Sequence, residues 1–121
     1  MAYKTTLTTF TVKEGMEAKA DEWLRVLIER KAECLETLDR EKMHFETIFK
    51  SVRDGRLRLT WFDVQSPDGA HVGTSMLAID KIHVDYWQQC IDREIPPEKF
   101  EHVVNFVPFE LETMINQRGE I

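Results

Sequence analysis

Two cysteines in 121 residues cannot build the disulfide framework of a small secreted domain. Both, Cys34 and Cys90, fall inside helical patterns and read as reduced thiols serving as small core hydrophobes. Glycine and proline are sparse, at five and four, and they form no phosphate-cradling loop; CxxC and HExxH are also missing. The stretch Gly73-Thr-Ser75-Met-Leu77 ends in leucine where a nucleophile elbow needs glycine. Each of these absences removes a large enzyme class. Positive charge is short as well, with 16 Lys and Arg against 22 Asp and Glu, a net charge of −6. That balance argues against nucleic acid and anionic membrane as partners, because both need basic surface. The longest run without formal charge, ending at Ile79, is far below the roughly 20 residues of a membrane-spanning helix. MAYKTTLTTF lacks the apolar core of a signal peptide, so a cytoplasmic location is expected.

The most informative stretch is His44 to Gln65. Two runs of aromatic, β-branched and leucine residues flank Asp54-Gly55, the strongest short-range hairpin signal. A two-residue turn with positive φ at both positions pairs Arg53 with Arg56, Ile48 with Trp61, Glu46 with Asp63 and Phe45 with Val64. Side chains alternate, so one face carries Phe45, Thr47, Phe49, Thr60, Phe62 and Val64. The other carries Ile48, Val52, Leu57, Leu59 and Trp61, together with His44, Glu46, Lys50 and Asp63. Both are apolar enough to need cover. The first suits a helix layer, and the second suits another subunit or a ligand.

Around this hairpin the chain reads as one domain, residues 1–121. Tyr3–Val12 is a threonine-rich strand, and Met16–Leu38 is a helix with apolar residues at Ala20, Trp23, Leu24, Leu27 and Ile28. Ser66-Pro-Asp-Gly69 is a turn, followed by a stretch of no clear period and a helix that Asp80 can cap. Pro96-Pro97 stops that helix, Phe100–Val107 is a fourth strand, and Phe109–Arg118 is a terminal helix. This order predicts an α+β, ferredoxin-like βαββαβ domain: a four-stranded antiparallel sheet, helices on one face and an extra C-terminal helix. The open face predicts a homodimer enclosing a barrel-like interior.

Three stretches carry a family resemblance: Phe10-Thr-Val-Lys-Glu-Gly15 leading into Trp23-Leu24, Leu59-Thr-Trp61, and His83-Val-Asp-Tyr-Trp87. On these the chain resembles the dimeric α/β-barrel superfamily, which includes the antibiotic-biosynthesis monooxygenases and many uncharacterised families. It looks closest to an uncharacterised bacterial family with an Ile-Asp-Lys-x-His…Trp/Phe…Cys-Ile-Asp pattern, here Ile79–Asp92. In the monooxygenase branch the substrate sits between sheet and helices, held by an aromatic, an amide and sometimes a histidine. The resemblance implies Trp61 and His83 for two of those places, Asn105 for the amide, and no cofactor.

Three clusters remain as candidates. His83 shares a helical face with Trp87 and Cys90 and is either a proton-shuttling, substrate-orienting group or a structural hydrogen-bonder. Trp61 with Ile48 and Leu59 is either a pocket wall or dimer core. Glu46 and Asp63, facing each other beside His44, form a weak metal-ligand set or a solvated strand end; carboxylates that close favour a shared proton or cation. His71 and His102 have no partner at motif spacing. Two functions stay open: a barrel protein that binds a small apolar ligand or is otherwise non-catalytic, or a cofactor-independent monooxygenase or isomerase acting on a small aromatic or enolisable molecule.

Overall fold

The computed structural model describes residues 3–69, 72 and 75–119. Its elements run β1 (Lys4–Thr11), α1 (Glu17–Glu29), α2 (Lys31–Arg40), β2 (Met43–Arg53), β3 (Arg56–Gln65), α3 (Ala78–Cys90), β4 (Glu98–Lys99) and α4 (Phe109–Gly119). The strands form one antiparallel sheet in the order β2-β3-β1-β4. The fold is α+β, with four strands and four helices among the described residues.

The hairpin forms in the expected register. Asp54 and Gly55 take φ of 54° and 75°, and Arg53 faces Arg56, Ile48 faces Trp61 and Glu46 faces Asp63. Nothing crowds Gly55, so its glycine is required by the positive φ alone. Gly69 is required for a different reason: a Cβ there would run into the Glu41 carbonyl oxygen. This close approach docks the turn after β3 onto the end of α2. The Gln65 amide reinforces it by donating to the same carbonyl at 2.9 Å.

The two faces of the hairpin are used in the opposite sense to the sequence expectation. Leu57, Leu59 and Trp61, assigned above to the side for another subunit or a ligand, lie beneath α1 and α3. Leu59 is fully buried among Val12, Ala20, Trp23, Cys90 and Ile91. Phe45 and Phe49, assigned to the helix layer, are more than half exposed. The physical cause lies in the helices. The α1 stripe presents Ala20 and Trp23, and the fully buried Trp23 and Leu59 belong to one cluster. Glu46 is tolerated on the covered face because the helices leave a groove there. On β1, threonines on both faces gave no contrast that could have decided the matter.

Three boundaries also differ. The first helical stretch breaks at Arg30 (φ −106°, ψ 34°), whose carbonyl starts a new helix by accepting from Glu33 and Cys34. The break lets α2 turn across β2 and α3. The fourth strand is Glu98–Lys99, not Phe100–Val107. After Phe100 N–H pairs with Leu7 the chain leaves the sheet edge, and Val103 and Phe106 stand 85% and 91% exposed. An edge segment paired on one side only, with nothing over its apolar side chains, has little to hold it in a ladder. Asp80 is not the cap of α3. Leu77 occupies that position, its N–H donates to Ser75 Oγ, and Asp80 lies in the first turn. Both cysteines are free; Cys90 is in the core, whereas Cys34 is only half-buried. His71 lies outside the described residues.

Candidate functional site

Where α1, α2 and α3 meet the sheet they leave a groove of about 710 Å³. Its apolar wall comes from the α1 stripe (Leu24, Leu27), from Leu38 on α2, Ile48 on β2, Trp61 on β3 and Ile79 on α3. Its polar wall carries Glu41 just after α2, Glu46 on β2, and Asp80 and His83 on α3. Residues 80 and 83 are three apart on a helix, so one face of α3 delivers both.

Trp23 organises the back of this groove. It is fully buried, with Trp61 at 5.7 Å and His83 at 5.4 Å between ring centroids, and Tyr86 stacked at 6.4 Å. Its indole N–H donates to His83 Nδ1 at 3.1 Å. An indole nitrogen can only donate, so Nδ1 is an acceptor and the proton of the neutral ring is on Nε2. Burial pushes the His83 pKa down, with Asp80 opposing, which keeps the ring neutral near pH 7. His83 is thus oriented as an Nε2–H donor, and the nitrogen that could take up a proton is already engaged. Trp61 and His83 do come together, at 6.4 Å between centroids, because Trp61 is on the helix-covered face.

Two carboxyls of the groove, Glu41 and Glu46, share one trait. Burial, then the charges of Glu46 and Asp80, push Glu41 up to about 7, against the opposition of Thr37 and Arg40. Glu46 touches water through the mouth of the groove, yet crowding by protein atoms, then Asp63 and Asp80, raise its pKa too. Asp63 is raised by burial and restrained by Lys4. Asp80 is 4% exposed, and its Oδ2 has no hydrogen-bond partner.

The other expected site residues lie elsewhere. Trp87 stands one turn beyond His83 and packs edge-on against Phe10 at 5.7 Å, in the core and off the groove wall. Asn105 hydrogen-bonds to Thr5 and His102 on the open side of the sheet, so the sheet separates it from His83. Glu46 and Asp63 face each other as expected, but His44 does not join them. A bulge between Met43 and Phe45 redirects His44, whose Nε2 meets Ser66 Oγ at 2.6 Å. Among the described residues no three His, Cys, Asp or Glu side chains are grouped to hold a metal. The sequence reading missed Glu41, placed in a connector, and Asp80, placed as a cap. The Asp80–x–x–His83 spacing was the available signal for the second.

Residues 3–111 match the Family of unknown function (DUF6176). The chain belongs to DUF6176. No curated protein and no solved structure matches it. For this DUF6176 member the groove therefore has to be read from its own chemistry. Among the described residues no helix is long and apolar enough to cross a membrane.

Proposed function

We propose that this DUF6176 member is the subunit of a small-molecule-binding protein, with the ligand held in the groove between α1, α2, α3 and the sheet. One observation carries the reading: a mostly apolar space of about 710 Å³ with a few convergent polar groups, Glu41, Glu46, Asp80 and His83. That volume is within the roughly 300–1,000 Å³ of small-molecule sites, and a few fixed polar groups in an apolar wall are what such sites use for orientation. The strand order β2-β3-β1-β4 and the helices against one face support a ferredoxin-like subunit of the dimeric α/β-barrel type. The partner is a second copy of the chain, seated on the open face. Support comes from exposed Phe45 and Phe49 and from the unpaired segment 101–107, which offers backbone groups and Val103, Val104 and Phe106 to another chain.

Native mass spectrometry tests both parts. The expected result is a doubled mass that retains a small molecule, and a Leu24→Trp variant that keeps the dimer and loses the molecule. A monomer at micromolar concentration with no ligand, or a ligand unaffected by filling the groove, would sink the reading.

A second reading is a cofactor-independent monooxygenase or isomerase working in the same groove. It is favoured by Glu41, whose carboxyl, raised to about 7, can exchange a proton at neutral pH in the groove that His83 also lines.

A further inference from the structure

Granting the dimer and the ligand groove, we propose that residues 101–107 of each copy add as a strand to the free edge of the partner's β2. There the added strand walls in the partner's groove, so that each small-molecule site is built from two chains.

The β2 edge is bare and unprotected. β2 pairs with β3 alone, which leaves its other side without a neighbour among the described residues. In a hairpin closed by the two-residue turn Asp54-Gly55, Arg53 and Arg56 exchange hydrogen bonds, and bonded and non-bonded pairs alternate from there. The N–H and C=O groups of Glu46, Ile48, Lys50 and Val52 therefore point away from β3. Past the bulge between Met43 and Phe45, β2 is long, holds no proline, and shows uncharged Phe45, Thr47 and Phe49 on its open face. Such an edge is a template for pairing with another chain.

The strand that fits it belongs to a second copy. Residues 101–107 read EHVVNFV, rich in strand formers, yet their backbone pairs with no strand among the described residues. They cannot reach their own β2. Phe100 N–H is tied to Leu7 and Asn105 to Thr5 at the opposite sheet edge. From β4 to β2 is three strand spacings, roughly 14 Å. The helix α4 does reach β2, but through Arg118 on the Met43 carbonyl, short of the edge from Phe45 to Arg53. A second copy carries none of these restraints. Size agrees as well: Phe45, Phe49 and Phe106 are 53%, 57% and 91% exposed. Those rings leave roughly 400 Å² uncovered, half of the about 800 Å² that a standard interface takes from each partner. Val103 and Val104, 85% and 56% exposed, add to it.

The groove points to the same edge independently. Ile48, Phe49 and Lys50 all line it, although neighbours along a strand face opposite sides of a sheet. It therefore opens across the outer edge of β2, where the added strand lies. Ile28 and Leu35, in the same lining, are 73% and 53% exposed. A strand beside β2 turns every second side chain toward the helix-covered face, which closes this side with apolar groups of the other copy.

The experiment is amide hydrogen exchange by NMR on the intact protein, above and below the concentration at which the dimer dissociates. In the dimer the Glu46, Ile48, Lys50 and Val52 amides should exchange at least about a hundredfold slower than in the monomer. In a sample mixing ¹³C-labelled and unlabelled copies, isotope-filtered spectra should place Val103, Val104 or Phe106 of one copy beside Ile28 or Leu35 of the other. Fast exchange at the four amides in a dimer would overturn the strand addition and leave the dimer standing. Slow exchange that persists in the monomer would mean cover from within one chain, and overturns it equally. Protected amides with no such contact to Ile28 or Leu35 would overturn the shared groove wall. A protein that stays monomeric at every concentration would overturn the inference and the dimer together.

Discussion

Replacing Glu41 by Gln should make the protein more stable at pH 8 and leave it nearly unchanged at pH 4. In the folded chain the Glu41 carboxyl is raised from its ordinary 4.5 to about 7. Burial is the first cause, and Glu46 and Asp80 follow. Between those two pH values the folded state holds a proton that the unfolded state has released. Stability therefore falls as pH rises from about 4.5 to about 7 and levels off above it. The two values lie about 2.5 apart, and at about 1.36 kcal/mol per unit of pH the full effect is about 3 kcal/mol. Water at the mouth of the groove screens part of this, so about 2 kcal/mol is expected. Gln keeps the shape and removes the ionisation. For a domain of this size 2 kcal/mol corresponds to a rise in Tm of roughly 6–10 °C. Circular-dichroism melts of both proteins at pH 4, 6 and 8 give the answer by difference, which cancels the parallel contributions of Glu46 and Asp63. Parallel curves across the three pH values, with no gain at pH 8, would show that Glu41 sits in ordinary solvent and that the groove's acids do not crowd one another.

Three further outcomes are expected. Trp23→Phe keeps an aromatic ring but removes the donor to His83 Nδ1; a loss of about 1–3 kcal/mol and an upward move of the imidazole pKa, read by NMR titration, should follow. An unchanged His83 titration would mean that this bond does not hold the tautomer. Gly55→Ala forces an L side chain into φ of 75° and should cost about 1 kcal/mol in a urea melt, with no change in slope. Phe45→Lys, combined with Phe106→Lys, places charge on the open face and on the unpaired segment; sedimentation should show monomers with an unaltered far-ultraviolet spectrum, whereas a persisting dimer would move the interface elsewhere.

The hairpin and the helical stripes were written in the chain; the break at Arg30 and the short fourth strand were not. Asp54-Gly55 specifies a turn that only one register satisfies, and the pairing of Ile48 with Trp61 and Glu46 with Asp63 follows by counting outward. The α1 stripe and the amphipathic α3 announce themselves by spacing, because period is a one-dimensional property. Which face of the hairpin the helices cover was not legible. Both faces hold enough apolar side chains, and the choice depends on which one Trp23 packs against across some forty residues of sequence. The same holds for the site. Glu41, Glu46 and Asp80 come from a connector, a strand and a helix, and no spacing links them. A bulge at His44 undid one constellation, while Asn105, on the far side of the sheet, dissolved another. Alternation and helical period determine what each segment buries, but only tertiary packing decides what it is buried against. The acids of the groove are neighbours for that reason alone.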